Sequence, residues 1–198
     1  MSHPVESAVA KDALRADLLA RRLARPAEER AAAAEAIVAA LLRGLDGVGT
    51  LAAFVPEPDE PGAGLLPRGY AQLGARVLLP VVLPTGRLMD WAVDTGELET
   101  GRFGLLQPVG PRLGPEAIGA ADAVVVPALA VDGLGFRLGR GGGYYDRALV
   151  HARPDAVLVT VVFDDERLDE LPREVHDQPV TAVVTPSAGW VDLVPTQR

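Results

Sequence analysis

Short apolar runs separated by turn residues dominate the chain after Gly49, and they constrain its fold more than any other feature. Several show no alternation of polar and apolar residues, which is typical of strands covered on both faces by helices. Helical spacers between them complete the pattern of an α/β protein with a mostly parallel sheet. The predicted strands are TLAAFV at 50–55, RVLLPVVL at 76–83, AVVVPALAV at 123–131, AVLVTVVF at 156–163, TAVVT at 181–185 and a further segment at 88–93.

Two helices are predicted before the sheet. The first carries an apolar stripe that includes Leu14 and Leu18, and the second begins at Pro26 and ends at Gly44. A chain of 198 residues is long enough for one domain with a sizeable core. We therefore predict a single three-layer α/β/α domain over residues 1–198, with its helices at about 5–45 and its sheet and ligand-binding loops at about 50–195.

Composition excludes several classes of function. The chain has no cysteine, so disulfides, thiolate metal sites and cysteine nucleophiles are absent. No apolar run approaches the length of a membrane span, and the N-terminal residues lack the apolar core of a signal peptide, so we expect a cytoplasmic protein without a membrane partner. The formal net charge of −8 argues against a nucleic-acid partner, because backbone phosphates require a broad basic face. We expect a monomer that binds small molecules.

A glycine-rich segment, RLGRGGGYYDR at 137–147, follows a predicted strand and leads into a helix predicted to begin near Gly143. Glycines let backbone N–H groups approach an anion, and a helix N-terminus is partially positive, so such loops bind phosphates. The forked donors of Arg137 and Arg140 match phosphate oxygens, and Asp146 supplies an oxygen of the kind that Mg²⁺ prefers. Neither the dinucleotide fingerprint nor the P-loop sequence is present. The segment favours a nucleotide or sugar-phosphate site, with a flexible turn as the alternative.

This segment and the strand before it resemble the signature of the 5-formyltetrahydrofolate cyclo-ligase family, also called methenyltetrahydrofolate synthetases. That signature runs roughly Pro-Gly-Leu-Ala-Phe-Asp, two variable residues, then Gly-x-Arg-Leu-Gly-x-Gly-x-Gly-Tyr-Tyr-Asp. The matching residues are Pro127, Leu129, Ala130, Asp132, Gly135, Arg137, Leu138, Gly139, Gly141, Gly143, Tyr144, Tyr145 and Asp146. Further matches, in chain order, are Lys11 and Arg15, Val55 and Glu60, Phe103-Gly104 with Pro108, and LPREVHD at 171–177.

The resemblance implies an enzyme that uses ATP and Mg²⁺ to convert 5-formyltetrahydrofolate, with or without a polyglutamyl tail, to 5,10-methenyltetrahydrofolate, with release of ADP and phosphate. A formamide carbonyl is a poor electrophile, and its oxygen is a poor leaving group. Phosphorylation of that oxygen activates the carbon for attack by N10 of the same folate. The contribution of the protein is then to align the reactants and to neutralise charge.

The resemblance also implies the roles of individual residues. The expected catalytic residues are Arg137, Arg140 and Tyr144. The expected ATP-binding residues are Lys11, Arg15, Arg137, Leu138, Gly139, Arg140, Gly141, Gly142, Gly143, Tyr144 and Tyr145. The expected folate-binding residues are Val55, Glu60, Phe103 and Tyr144, with Glu60 accepting hydrogen bonds from the pterin. Asp146 and Thr181 are the expected metal ligands.

Three positions depart from the family pattern. Gln107 replaces the glutamate usual before the proline, Val131 replaces a phenylalanine, and Thr181 stands where many members carry an aspartate that helps bind Mg²⁺. Two alternatives to the interpretation as a cyclo-ligase therefore stay open. One is a family paralogue acting on another formamide-type small molecule, and the other is a nucleotide- or folate-binding protein without turnover.

Overall fold

A computed structural model describes residues 4–173 and 177–193 of the chain. The helices are α1 (Pro4–Ala24), α2 (Ala27–Gly44), α3 (Leu66–Ala71) and α4 (Tyr144–Ala148). The strands are β1 (Thr50–Ala52), β2 (Arg76–Val82), β3 (Met89–Val93), β4 (Leu98–Thr100), β5 (Leu106–Pro108), β6 (Ala123–Pro127), β7 (Ala130–Asp132), β8 (Arg137–Leu138), β9 (Val157–Val161), β10 (Arg167–Leu168), β11 (Ala182–Thr185) and β12 (Gly189–Asp192). None of the helices in these two ranges is long and apolar enough to span a membrane.

A seven-stranded sheet forms the centre of the protein, in the order β12-β11-β9-β6-β1-β2-β3. Neighbouring strands from β11 to β2 run parallel, and only the two edge strands, β12 and β3, are antiparallel to their neighbours. The predicted mostly parallel sheet is confirmed. The carboxyl ends of the parallel strands meet at one edge of this sheet, where ligand sites of α/β proteins occur.

Both faces of the central sheet are covered, which confirms the three layers. On one face, Ile37 and Leu41 of α2 and Tyr70 of α3 pack with strand residues such as Leu79 and Val125. On the other face, a core that includes Trp91, Ile118 and Leu149 is built from β3 and from the 3₁₀ segments Pro115–Ala120 and Leu149–His151. Burial on both faces explains why the central strands are apolar throughout.

The prediction of one strand over 123–131 is wrong. β6 ends at Pro127, and the chain then enters β7, which belongs to a separate three-stranded sheet, β10-β7-β8. Proline has no backbone N–H to extend the ladder, and the carbonyl of Ala128 accepts a hydrogen bond of 2.6 Å from the Arg22 guanidinium instead of from a strand. This break carries the chain out of the central sheet at its carboxyl edge, where the glycine-rich loop follows.

Helix α1 packs against the small sheet. Leu18 lies in a cluster with Leu129, Ala130 and Leu138, apart from the two cores of the central sheet. The apolar stripe predicted for this helix is therefore buried, but against β7 and β8. This placement brings the N-terminal half of α1 to the glycine-rich loop.

The helix predicted to begin near Gly143 is short. α4 has five residues and continues only as a 3₁₀ turn at Leu149–His151. A single helical turn contributes little of the dipole that favours anions at longer helices. Any anion bound at the glycine-rich loop must therefore be held by backbone N–H groups and by cationic side chains.

Candidate functional site

A pocket of about 550 Å³ opens at the carboxyl edge of the central sheet, between α1, the glycine-rich loop and the segments after β1 and β4. It is lined by every residue that the sequence assigned to ATP or folate binding, and by Asp146. These positions span residues 11–146 of the chain, and the fold brings them to one cavity. Thr181 is the one predicted site residue that does not line it.

Backbone conformation and close packing both require glycine at several positions of the loop. Gly141 and Gly143 have positive φ angles of +95° and +66°, a region that residues with a Cβ rarely adopt. A Cβ built at Gly142 would lie 2.7 Å from the ring of Tyr144. The carbonyl of Gly139 accepts a 3.0 Å hydrogen bond from Nε of Arg15, which fixes the loop to α1. The loop is therefore an ordered wall of the pocket.

Lys11 and Arg15 lie one turn apart on α1 and both reach the pocket. Lys11 is buried, and its Nζ lies 3.0 Å from a carboxylate oxygen of Asp177. Asp177 also lines the pocket, although the sequence analysis gave it no role. Asp177 is the last residue of the segment at 171–177 that matches the family, so the sequence did contain a signal for it. Residues 174–176 of that segment lie outside the described residues.

Arg137 is the most deeply buried guanidinium of the glycine-rich loop, with 4 % of its side chain exposed. It donates to Asp146 Oδ1 at 2.5 Å and to the carbonyl of Gln178. Burial lowers the pKa of Arg137, and the negative charge of Asp146 opposes that change. Arg137 stays a cation, because the guanidinium of arginine is not deprotonated in proteins. It places a fixed positive charge beside the loop.

Arg140 is held by three carboxylates from the loop after β1. Its guanidinium lies 3.1 Å from Glu57, 2.9 Å from Asp59 and 3.2 Å from Glu60. Burial lowers the pKa of Arg140, but the charges of these acids outweigh burial and raise it overall. Glu57 and Asp59 were missed by the sequence analysis. Because 81 residues separate Arg140 from Asp59, only the folded chain reveals the pairing.

Glu60 and Tyr145 form a buried polar part of the pocket, and the buried Tyr70 lies near them. One of the Glu60 carboxylate oxygens accepts a 3.0 Å hydrogen bond from the Glu57 N–H. Tyr145 and Tyr70 are near enough for the Glu60 charge to raise their pKa values further, after burial has already raised them, so both phenols stay protonated. Their buried hydroxyls have no hydrogen-bond partner among the described residues. This part of the pocket offers a carboxylate and a hydroxyl to a polar heterocycle.

Glu60 predicts a specific pH dependence of stability. Burial raises the pKa of its carboxyl above the ordinary 4.5, against the opposing effects of the Glu57 N–H and Arg140. At pH values between the ordinary pKa and the raised pKa of the folded state, the folded protein keeps a proton that the unfolded chain releases. The free energy of unfolding therefore falls as pH rises through this window. In Glu60→Gln this loss is absent. As pH increases above about 4, the Tm of the variant should therefore rise by a few degrees relative to the Tm of the parent at the same pH.

Thermal unfolding monitored between about pH 4 and pH 8 measures this difference. The matched control is Glu57→Gln, which removes a more exposed carboxylate bound to the same guanidinium. Parallel Tm curves for the parent and Glu60→Gln would contradict the raised pKa.

Another part of the pocket is apolar. Phe54, Pro80 and Met89 line it near the ends of β1, β2 and β3, and Phe103 lies at its mouth. The Phe103 side chain is 67 % exposed, and its backbone has a positive φ of 60°. The guanidinium of Arg102 lies 4.6 Å from the centre of the Phe103 ring and holds it at the pocket mouth. An exposed aromatic ring here provides a stacking surface for a ligand.

Thr181, an expected metal ligand, does not line the pocket. Its hydroxyl donates to the carbonyl of Leu158 and accepts from the N–H of the same residue, both at 3.0 Å. This pairing lies where β9 and β11 begin, at the edge of the sheet opposite the pocket. Val131, another departure, is a fully buried core residue.

Comparison with known proteins decides the family. The family model described as the 5-formyltetrahydrofolate cyclo-ligase family matches residues 7–186. The chain belongs to the 5-formyltetrahydrofolate cyclo-ligase family. The resemblance read from the glycine-rich segment is thereby confirmed, and the match spans all the pocket residues described above.

Individual members of the cyclo-ligase family resemble the chain over most of its length. A 5-formyltetrahydrofolate cyclo-ligase of Mycolicibacterium smegmatis is 45 % identical over 189 residues, covering 92 % of this chain and 97 % of the relative. The enzyme of that name from Escherichia coli K12 is 33 % identical over 147 residues, covering 71 % and 80 %. The NMR structure of a 5,10-methenyltetrahydrofolate synthetase from Aquifex aeolicus superposes with a TM-score of 0.77 at 29 % identity and covers 95 % of each chain.

Proposed function

We propose that this protein catalyses the ATP-dependent cyclisation of 5-formyltetrahydrofolate to 5,10-methenyltetrahydrofolate, with release of ADP and phosphate. The observation that carries the proposal is a pocket of about 550 Å³ that combines an arginine- and glycine-rich wall, the Glu60 carboxylate and an apolar mouth. A phosphate donor and a flat, partly polar heterocycle can meet in such a cavity. The names of the family and of its relatives support a cyclo-ligase that acts on 5-formyltetrahydrofolate.

The proposed reaction has two steps. The formyl oxygen on N5 of the folate attacks the terminal phosphorus of ATP, an O–P bond forms, and ADP leaves. N10 then attacks the activated formyl carbon, its proton is released, and the C–O bond breaks as phosphate departs. The product contains one new C–N bond, and both steps depend on reactant alignment and on stabilisation of phosphate charge.

The cations of the pocket would stabilise the transferring phosphoryl group. Arg137 provides a buried positive charge, and Arg140 provides a more exposed one on the same loop. Lys11 and Arg15 approach the loop from α1, and Arg15 is already bonded to the Gly139 carbonyl. The backbone of Gly141, Gly142 and Gly143 would receive the phosphates closely because no Cβ intervenes. Tyr144 lines the same wall and would contact both reactants.

Asp146 is the residue that would hold Mg²⁺. One oxygen of its carboxylate is bonded to Arg137, and the side chain is 30 % exposed towards the pocket. Among the described residues no group of three acids or histidines could hold a metal ion. A single carboxylate nevertheless fits a Mg²⁺ ion whose other ligands are nucleotide phosphates and water. When bound, the ion would neutralise phosphate charge beside Arg137 and Arg140.

Glu60 would orient the folate. Its buried carboxylate can accept hydrogen bonds from pterin N–H groups, and the Tyr145 hydroxyl beside it has no other partner among the described residues. Val55 and Phe103 would pack on the folate from the apolar mouth. With the pterin fixed at Glu60, the N5-formyl group would face the arginines of the glycine-rich loop, because Arg140 contacts Glu60 directly.

The direct test is formation of 5,10-methenyltetrahydrofolate, followed by absorbance, with ADP and phosphate measured in parallel. We expect product only when both ATP and Mg²⁺ are present, with one ADP released per turnover. The matched control is Arg153→Ala, which removes an exposed arginine bound to Asp122 and Asp155 at the opposite edge of the sheet and should keep full activity. Tight binding of ATP and folate without product would contradict the proposal, as would ATP turnover with another formamide alone.

A further inference from the structure

Arg137 and Arg140 both lie on the glycine-rich loop, but the structure holds them in different ways. Arg137 has 4 % of its side chain exposed and is bound to Asp146 and to the carbonyl of Gln178. Arg140 is 38 % exposed, and its partners among the described residues are all side chains of the loop after β1. Arg137 is therefore a fixed cation, whereas Arg140 can turn about its side-chain bonds without a change in the backbone.

Glu57, Asp59 and Glu60, which we call the acid cage, occupy one edge of the Arg140 guanidinium. Its Nη2 donates to both carboxylate oxygens of Asp59 at 2.9 Å and lies 3.1 Å from Glu57. Its Nε donates to Glu60 at 3.2 Å. The same edge of the fork cannot bind a phosphate at the same time, since its N–H groups already point at carboxylates. The acid cage therefore competes with the phosphates of ATP for Arg140.

Glu60 belongs to the acid cage and is also the residue proposed to hold the pterin. Its buried carboxylate accepts a hydrogen bond at each oxygen, from the Glu57 N–H at Oε2 and from Arg140 at Oε1. The Glu57 backbone is fixed in this turn, because its carbonyl accepts a 2.9 Å hydrogen bond from the Glu60 N–H. A pterin N–H that donates to this carboxylate therefore competes mainly with Arg140.

We propose that Arg140 couples the binding of the two substrates: folate bound at Glu60 weakens the acid cage and frees Arg140 to bind the phosphates of ATP. Glu57 and Asp59 are then positioning residues that hold the guanidinium beside the glycine-rich loop until folate is bound. The coupling is reciprocal, because a nucleotide that draws Arg140 away from Glu60 also favours folate binding. The inference rests on the proposed function and adds a dependence of ATP binding on the second substrate.

Calorimetry tests the coupling with an ATP analogue that has nitrogen in place of the oxygen between its β- and γ-phosphates, so that no phosphoryl group is transferred. The Kd of this analogue is measured in Mg²⁺, with and without saturating 5-formyltetrahydrofolate. In the parent we expect folate to lower this Kd about tenfold, a factor usual for coupling between two sites. The analogue should lower the Kd of folate by the same factor.

Three variants locate the coupling in the acid cage. Arg140→Ala should bind the analogue more weakly than the parent and with nearly the same Kd whether or not folate is present. Asp59→Asn weakens the cage in advance, so it should bind the analogue more tightly than the parent without folate and gain less when folate is added. The control is Asp155→Asn, which removes an exposed acid bound to Arg153 at the opposite edge of the sheet and should keep the coupling of the parent.

Glu60→Gln separates the proposed contact from a general effect of charge. The substitution removes the acid that folate engages, so the analogue should bind more tightly than it does to the parent without folate. The same substitution in an Arg140→Ala background should have a much smaller effect, because the two residues act through one contact. An equal gain in both backgrounds would show that Glu60 acts on the nucleotide only through its charge, which would overturn the inference.

Three further results would overturn the inference. An unchanged Kd of the analogue when folate is added to the parent would show that the two sites are independent. Coupling that survives in Arg140→Ala would be carried by other groups, and undiminished coupling in Asp59→Asn would show that the acids do not restrain Arg140. None of these measurements requires turnover, so a parent that makes no methenyltetrahydrofolate would end the proposed function, and the Kd values would still decide the coupling.

Discussion

Arg140→Ala is expected to lower kcat for methenyltetrahydrofolate formation by about 10² to 10³-fold, the loss typical when one preorganised charge donor is removed. In the parent protein, the Arg140 guanidinium extends from the glycine-rich loop to three carboxylates, those of Glu57, Asp59 and Glu60. Its removal takes away a cation beside the proposed phosphoryl group. It also leaves the three acids without their shared counter-charge, and their negative charge then disfavours ATP.

Steady-state kinetics with both substrates, together with thermal unfolding, measures this effect. The side chain of Arg140 is 38 % exposed, so we expect the variant to fold. Arg140→Lys restores the charge without the planar fork and should recover only part of the activity. Unchanged kcat in a folded Arg140→Ala protein would exclude the proposed role. A raised KM for ATP at unchanged kcat would restrict that role to nucleotide binding.

The largest effect on stability is expected for Arg22→Ala. Arg22 is fully buried, and it binds both oxygens of the buried Glu166 carboxylate at 2.6 and 2.8 Å. The same guanidinium holds the carbonyl of Ala128 at 2.6 Å. Removing one partner of a buried ion pair leaves the other charge uncompensated and costs about 3–5 kcal/mol in the free energy of unfolding. For a chain of this length we expect Tm to fall by roughly 10 °C.

Denaturant unfolding of Arg22→Ala and of two comparison proteins tests this expectation. Arg21→Ala, one position earlier on α1, removes a partly exposed arginine and should change the free energy of unfolding by less than about 1 kcal/mol. The double variant Arg22→Met/Glu166→Leu removes both charges together and should regain most of the lost stability. A loss in Arg22→Ala no larger than that in Arg21→Ala would show that the pair contributes little.

The local parts of this structure were predictable from residue types. Unalternated apolar runs predicted the buried parallel strands, and Gly44 marked the end of α2. The loop at 137–147 was predicted because its glycines and arginines have few other reasons to occur together. Each of these signals lies within one short segment, so no knowledge of the tertiary arrangement was needed.

The features that were missed depend on contacts between distant segments. After β6 ends at Pro127, the carbonyl of Ala128 binds Arg22, which lies 106 residues away in the chain. The acids that hold Arg140 lie on a loop about 80 residues away, which composition alone describes as polar and exposed. Thr181 was expected at the metal from the family resemblance alone, and its place before β11, away from the pocket, could be seen only in the folded chain.

Helix α1 binds residues that lie far along the chain, and this affects the order in which the protein can fold. Its partners Ala128, Gly139, Glu166 and Asp177 follow their α1 residues by 106, 124, 144 and 166 positions. During synthesis α1 therefore emerges long before any of them, and its apolar stripe has nothing to cover it. Arg15 can bond to Gly139, and Lys11 can pair with Asp177, only after those later segments have been made. A nascent protein, or one truncated before Asp177, would therefore lack part of the proposed phosphate-binding wall.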